Sequence, residues 1–170
     1  YASSGTAAAG SVVIAAYEGI DTNSNAIAAY NSDSGSSGNV ILISSNSSIT
    51  TGAIDTYVTG GSEKAADVTI SAYGAINLTG VLNAANTGSG SGSTINLLSA
   101  NGSVTTGKIA VDVSVASIVA GNVNIEASGL INTSAGNITA TNGGTRPIDS
   151  GVTLLSHTSS VTTSGIDISV

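Results

Sequence analysis

Cysteine, methionine, tryptophan and phenylalanine are all absent from this 170-residue chain, which contains one proline, Pro147. Without cysteine the chain can form no disulfide, thiolate metal site, iron–sulfur cluster or thiol nucleophile. Met, Phe and Trp fill irregular gaps in ordinary cores, and here the apolar share of 41% comes mostly from Val, Ile and Ala. This composition favours a narrow, uniform interior built from repeated layers.

Charge is also scarce, because 3 basic residues stand against 10 acidic ones and give a formal net charge of −7. Binding to nucleic acid requires clustered Lys and Arg, so the composition excludes that class of protein, and it disfavours anionic membrane surfaces for the same reason. No apolar run approaches the roughly 18 residues of a membrane span, so membrane insertion is not expected. The length predicts one domain.

A repeat of about 28 residues runs through the chain. A Val-x-Ile type of motif recurs at nearly constant intervals, at Val12/Ile14, Val40/Leu42, Val68/Ile70, Ile95/Leu97, Val123/Ile125 and Val152/Leu154. A second aliphatic column follows at Ile20, Ile49, Ile76, Val104, Ile131 and Val161. A third follows at Ile27, Ile54, Val81 or Leu82, Ile109, Ile138 and Ile166. Alternation around these positions predicts three short strands in each unit.

Alternate units resemble each other more closely than neighbouring units do. Units 2, 4 and 6 share a Ser-aliphatic-Thr-Thr sequence, at residues 48–51, 103–106 and 160–163. In these units the second aliphatic residue lies one position further from the first than it does in units 1, 3 and 5. The pattern indicates a two-unit module that is present three times.

Units of this length with three strands each are expected to coil as a parallel β-helix, with one unit per rung. The prediction is an all-β, right-handed β-solenoid over residues 1–170, with six rungs that start near Gly10, Gly38, Ala66, Ser93, Gly121 and Gly151. Threonines two residues after the second column should point inward and satisfy the backbone of a bend, at Thr22, Thr51, Thr106, Thr133 and Thr163. The residues between should form a polar outward ladder, at Asp21, Thr50, Asn77, Thr105, Asn132 and Thr162.

The two ends of the sequence fit one another. Residues 166–170, followed by residue 1 of a second copy, resemble residues 54–59, and the interval from Val152 to that copy's Val12 would be close to the repeat length. Neither end reads as the polar or helical cap of natural solenoids. The interpretation is one period of a longer array, made of tandem repeats or of subunits stacked head to tail. The candidate residues of the joint are Tyr1, Ile166, Ile168 and Val170.

Residues 121–129 (GNVNIEASG) and 48–54 (SITTGAI) resemble the repeat region of filamentous-haemagglutinin-like exoproteins. These are large bacterial surface or secreted β-helical proteins, and the resemblance extends from about Gly10 onward. It implies an extracellular or cell-surface location and a structural or adhesive task.

Few side chains are candidates for chemistry. His157, the one histidine, occupies the turn position of Ser45 and Ala100 and is interpreted as a solvated turn residue. Asp55 and Asp167 share a column but belong to units 2 and 6, and the basic residues Lys64, Lys108 and Arg146 fall at different points of their units. Catalysis requires groups that converge on one site, so no catalytic site is expected. Because the Gly-Gly-x-Gly-x-Asp calcium repeat is also missing, neither a metal nor a cofactor is expected.

Two tyrosines occupy equivalent positions in neighbouring units. Tyr30 and Tyr57 have the same offset in neighbouring units, and Tyr1 would join them across a copy boundary. They are candidates for a lateral contact between fibres or for a sugar platform, and the alternative is that they pack beneath the adjoining loop.

The leading hypothesis is a non-enzymatic extracellular filament or rod, in which the partner of each copy is another copy stacked end to end. The alternative is the rod of an adhesin that binds glycans or other cells. A polysaccharide-active enzyme is a weaker alternative because the carboxylates are scattered. An ice-binding protein is also weaker, because Asn and Asp interrupt the outward Thr ladder.

Overall fold

A computed structural model describes residues 6–60, 62–114, 121–143 and 150–169. Within these residues the chain forms strands and turns and no helix, and therefore no helix that could cross a membrane. The strands, in chain order and three to a rung, are β1 (Val12–Ala16), β2 (Ile20–Asp21), β3 (Ile27–Ala28); β4 (Val40–Ser44), β5 (Ile49–Thr51), β6 (Ile54–Asp55); β7 (Val68–Ala72), β8 (Ile76–Leu78), β9 (Leu82–Asn83); β10 (Thr94–Ser99), β11 (Val104–Thr105), β12 (Ile109–Ala110); β13 (Asn122–Ala127), β14 (Ile131–Thr133), β15 (Ile138–Thr139); β16 (Val152–Ser156), β17 (Val161–Thr163), β18 (Ile166–Asp167).

Strands at the same place in successive rungs pair in parallel and build three sheets. Sheet 1 contains β1, β4, β7, β10, β13 and β16, sheet 2 contains β2, β5, β8, β11, β14 and β17, and sheet 3 contains β3, β6, β9, β12, β15 and β18. Residues of the same repeat position are direct partners, as in the series Val12, Val40, Val68, Ile95, Val123 and Val152. The predicted parallel β-helix with three strands per rung is confirmed.

The interior consists of the predicted aliphatic columns, which are buried throughout rungs 2 to 5. β-Branched Val and Ile suit this role, because they favour extended backbone and pack well on a pleated surface. In the third column the sequence left Val81 and Leu82 open. Leu82 is the inward residue, since it pairs with Ile54 and Ile109 and is 1% exposed, whereas Val81 is 43% exposed.

The inward threonine column is confirmed for Thr51, Thr106 and Thr133, which are buried. The expected role of the hydroxyls holds in rung 1, where Thr22 Oγ1 donates to the Asn25 carbonyl at 3.0 Å. It is wrong for Thr106 and Thr133, whose hydroxyls have no hydrogen-bond partner among the described residues. These two side chains are buried in the interior of the coil.

A fourth inward column, which the sequence analysis did not identify, follows sheet 3. Its members are joined by parallel bridges and alternate between Asn and Val: Asn31, Val58, Asn86, Val113 and Asn142. The side chain of Asn86 organises the loop after it. Its Oδ1 accepts from Gly88 N at 2.8 Å, and its Nδ2 donates to the carbonyls of Ser91 at 3.1 Å and of Glu63, one rung away, at 2.8 Å. Asn31 makes the equivalent bonds in rung 1.

Replacement of Asn86 by alanine should destabilise the coil by about 2–3 kcal/mol, because it leaves several loop backbone groups without their buried partner. Asn77→Ala is the matched control, since Asn77 is exposed on the outer face of β8 and should change stability by less than about 0.5 kcal/mol. Urea unfolding followed by circular dichroism measures both effects. Equal stability of the two variants would contradict the structural role of Asn86.

Candidate functional sites: the open ends and the outer faces

The inward side chains of rung 6 are exposed at one end of the coil. Ile166 is 44% exposed, although its partner positions in the third column, such as Ile109, are fully buried. Ile168 and Val161 are exposed to a similar extent. Ile166 and Ile168 were both predicted joint residues, and the structure places them side by side on this apolar edge. Tyr1 and Val170, the other two, lie outside the described residues.

In the turn between sheets 1 and 2, a serine hydroxyl joins each even rung to the odd rung before it. Ser44 Oγ in rung 2 donates to the Glu18 carbonyl in rung 1 at 2.8 Å. Ser99 repeats this bond to Gly74 at 2.8 Å, and Ser156 repeats it to Gly129 at 2.9 Å. Even rungs have one more residue in this turn. A backbone N–H of the longer turn donates to the same serine hydroxyl, as Gly102 N does to Ser99 Oγ at 3.1 Å. The two-unit module of the sequence therefore corresponds to two kinds of turn that alternate along the coil, with this serine bond joining the second turn of each module to the first.

His157 lies on the first turn of rung 6 and is exposed, as predicted. Its Nε2 lies 2.8 Å from Glu126 Oε1, and both side chains are half exposed. The sequence analysis did not predict this pair, because the two residues are far apart in the chain and meet only through the stacking of rungs 5 and 6. Among the described residues no three His, Asp or Glu side chains come together as metal ligands.

Tyr30 and Tyr57 stack on each other on the outer side of sheet 3. Their ring centroids are 4.6 Å apart and their planes differ by 10°, and both residues are half-buried. The position in rung 6 that matches Tyr57 is occupied by Ser169, since Asn142 N donates to the Ser169 carbonyl as Asn31 N does to that of Tyr57. A lateral contact through Tyr30 and Tyr57 stays a prediction.

The carboxylates of sheet 3 lie far apart along the coil. Asp55 in β6 and Asp167 in β18 occupy the same outward column, but three rungs separate them. With about 4.8 Å between rungs, the two residues are roughly 19 Å apart. The paired carboxyl groups of glycosidases are only about 5–9.5 Å apart, so these two cannot act on one bond.

The other charged groups are dispersed as well. The Asp112 carboxylate accepts hydrogen bonds from Thr139 Oγ1 at 2.8 Å and from Thr141 Oγ1 at 2.9 Å. Lys64 Nζ binds Asp67 Oδ1 at 2.7 Å, and Lys108 is exposed in rung 4. Arg146 lies outside the described residues.

Burial affects two ionisable groups near the tyrosine stack. It raises the pKa of Asp55 above 3.8, its ordinary value, and a hydrogen bond with the Asn83 side chain partly offsets that rise. Burial also raises the pKa of Tyr57, and the nearby Tyr30 and Asp55 raise it further. The folded coil therefore holds the proton of Asp55 more tightly than the unfolded chain does.

The outer faces of the three sheets differ in polarity. The outward ladder of sheet 2 is polar throughout, as predicted from Asp21 to Thr162. The outer face of sheet 1 instead exposes Val13, Ile43, Leu98 and Leu155. A shallow depression of about 260 Å³ lies on that face beside Leu98, Glu126 and Leu155.

No family model matches the chain, and neither does any curated protein or solved structure.

Asp55→Asn should make the coil more stable at pH 7, because the amide keeps the size of the side chain without the cost of a half-buried charge. The pKa of Asp55 is raised in the folded protein. Between the unfolded pKa of about 3.8 and the higher folded pKa, the folded protein therefore binds more protons than the unfolded chain, and its stability decreases as the pH rises through this range. The difference in stability between Asp55→Asn and the native protein should therefore become smaller below about pH 3.8, where the carboxyl group is protonated. Urea unfolding of both proteins at pH 7 and pH 3.5 tests this. A variant that is less stable at pH 7 would contradict it.

Proposed function

We propose that this chain is a segment of an extracellular filament or rod, in which copies of the coil stack end to end and act mechanically. The proposal rests on the apolar edge of rung 6. There Val161, Ile166 and Ile168 are exposed, although the residues at the equivalent positions of rungs 2 to 5 are buried. An open strand edge is a template for pairing with another strand. A further rung would cover both the side chains and the backbone groups of this edge.

The other end of the described coil offers a matching surface. Ile14 in β1 is 36% exposed, whereas its partner in β4, Leu42, is fully buried. Rung 1 of a second copy placed on rung 6 would continue the columns of Val and Ile in each sheet. The contact would extend an existing pattern of parallel pairing and would need no new type of interaction.

The hydrogen bonds at the internal boundaries support this register. Ser48 Oγ of rung 2 accepts from Ala75 N of rung 3 at 2.9 Å, and Ser103 Oγ of rung 4 accepts from Leu130 N of rung 5 at 3.1 Å. Ser160 in rung 6 is equivalent to the acceptors Ser48 and Ser103. Gly19 in rung 1 is equivalent to the donors Ala75 and Leu130. A second copy would place Gly19 N at the Ser160 hydroxyl.

The joint is also favourable in energy. Covering a half-exposed Val or Ile side chain contributes on the order of 1–2 kcal/mol, and rung 6 offers three such side chains. The main-chain ladders of three sheets would add to this. In a solenoid each such interface contributes separately, so a longer array is more stable than one copy.

Two further features support a mechanical role outside the cell. The chain has no thiol or thioether that oxidation could modify, and few charges. Its repeats resemble those of large bacterial surface and secreted β-helical proteins. A rod of this kind requires stacked hydrogen bonds along its length and no reactive group.

Ile166→Asp should block end-to-end association, because it places a charge in the apolar edge where the next copy would pack. Thr162→Asp is the matched control, since it adds the same charge to rung 6 on an outward position. In sedimentation velocity the unmodified 170-residue chain and the Thr162→Asp variant should form assemblies that grow with concentration, whereas Ile166→Asp should stay monomeric. Circular dichroism checks that both variants keep their strands. An unmodified chain that remains a stable monomer at high concentration would overturn the proposal.

A second candidate function is the rod of an adhesin that binds glycans, and the stacked Tyr30 and Tyr57 beside Asp55 favour it. Aromatic rings with nearby carboxylates suit the apolar faces and hydroxyl groups of sugars. If the coil binds immobilised glycans, Tyr57→Ala should reduce binding at least tenfold, whereas Tyr73→Ala, which removes an exposed tyrosine from a turn, should leave it unchanged. A coil that shows no binding on a glycan array would favour the passive rod.

A further inference from the structure

The outer face of sheet 1 is the apolar side of the coil. It is defined by two outward columns, Val13, Ile41, Thr69, Asn96, Asn124 and Thr153, and Ala15, Ile43, Ser71, Leu98, Glu126 and Leu155. Val13 is 63% exposed and Leu155 is 46% exposed. Among the described residues, the other large exposed aliphatic side chains are Val81, directly before β9, and inward residues of the two end rungs. Sheets 2 and 3 have no comparable outward aliphatic surface in the part of the chain that the structure describes.

The same face has little charge, although the chain as a whole is acidic. Within these two columns the one ionisable residue is Glu126, which His157 contacts at 2.8 Å. Asp67, directly before β7 at the edge of the face, is paired with Lys64 at 2.7 Å. Sheet 2 has Asp21 on its outer side, and sheet 3 has Asp55, Asp112 and Asp167. Two copies with a net charge of −7 each would repel least when they approach through sheet 1. A basic partner would be attracted to sheet 3 instead, so the charge distribution favours a second copy of this chain.

We propose that two coils pair side by side through the outer faces of sheet 1, in parallel orientation, about a two-fold axis along the fibre. This inference rests on the proposed end-to-end filament. The symmetry places the first outward column of one coil opposite the second column of the other, at the same rung. Ile41 then faces Ile43, Val13 faces Ala15, and Asn124 faces Glu126.

The parallel orientation brings similar residues together in four of the six rungs. Aliphatic residues meet in rungs 1 and 2, small polar residues meet in rung 3, and in rung 5 the amide of Asn124 faces the carboxylate of Glu126. In rungs 4 and 6 a neutral polar side chain, Asn96 or Thr153, faces a leucine, and no charged group is buried there. In the antiparallel orientation the second column faces itself in reverse order, so Glu126 would be buried against Ile43. Burial of a carboxylate against an aliphatic side chain is costly, which favours the parallel pair.

The size of the face explains why pairing would follow filament formation. A strand of five residues is about 16 Å long and six rungs span about 29 Å, so each copy contributes roughly 460 Å². A stable interface buries at least about 1200 Å² in total, which is more than two such faces provide, so two single copies would pair weakly. In filaments every further copy adds the same contact at the same register, and the contacts accumulate.

Site-directed cross-linking tests the pairing, because the native chain has no cysteine. Ile41→Cys and Ile43→Cys proteins, mixed in equal amounts, assembled and treated with a short bismaleimide, should give at least fivefold more cross-linked dimer than either variant alone. A mixture of Thr50→Cys and Thr105→Cys, on the outer face of sheet 2, is the matched control and should give little dimer. Preferential cross-linking of Ile43→Cys with Glu126→Cys would show antiparallel pairing and overturn the proposal.

Electron microscopy separates this proposal from the proposed function. Fibres of the native chain should be two coils wide, and the triple variant Ile43→Thr, Leu98→Thr, Leu155→Thr should form fibres of similar length and half the width. Native fibres that are one coil wide would overturn lateral pairing and leave end-to-end stacking intact. If no fibres form under any condition, the filament itself is wrong, and the lateral pairing that depends on it fails as well.

Discussion

Parallel pairing between successive rungs is the constraint on which the rest of this structure depends. Each strand bonds to the equivalent strand of the rung before it and of the rung after it, and the register is kept in all three sheets. A shift of one residue in the pairing of a strand would turn its inward side chains outward, so the buried face of each strand specifies the register. The monotony of the core, with Val over Val and Ile over Ile, follows directly from this pairing. A core built in this way has no irregular gaps for Phe, Met or Trp to fill.

The rungs differ in length at their turns, because the pairing between strands allows no insertion within a strand. The first turn is one residue longer in even rungs, and Ser44, Ser99 and Ser156 bond the longer turn to the shorter one before it. The buried Asn31 and Asn86 have a similar role in the loops that follow sheet 3. These polar side chains satisfy backbone groups that would otherwise be buried without partners. The repeat is therefore two rungs long because a shorter and a longer turn alternate, although each rung is a complete layer of the core.

The charged side chains of the described coil are largely occupied by contacts with its own neighbours. The one histidine is already paired with Glu126, and Asp112 is satisfied by two threonine hydroxyls. What remains is a division of the surface by polarity: apolar ends, an apolar face on sheet 1, a polar ladder on sheet 2 and an acidic, aromatic face on sheet 3. The proposed contacts between copies of the coil use the apolar ends and the apolar face of this surface.

The sequence alone determined the strands, most of their inward residues and the length of each rung, because a pairing that repeats along one axis leaves its period in the chain. It could not choose between Val81 and Leu82, since both are aliphatic and only the pairing with Ile54 and Ile109 decides. The Asn column was predictable in principle, because Asn31, Asn86 and Asn142 recur at the spacing of the two-rung module. The tertiary structure alone decided that Glu126 meets His157, that Tyr30 stacks on Tyr57, and that the hydroxyls of Thr106 and Thr133 have no partner among the described residues. Periodicity fixes which positions stack, but the contacts of individual side chains depend on rotamers and on the path of each turn, which the period does not contain.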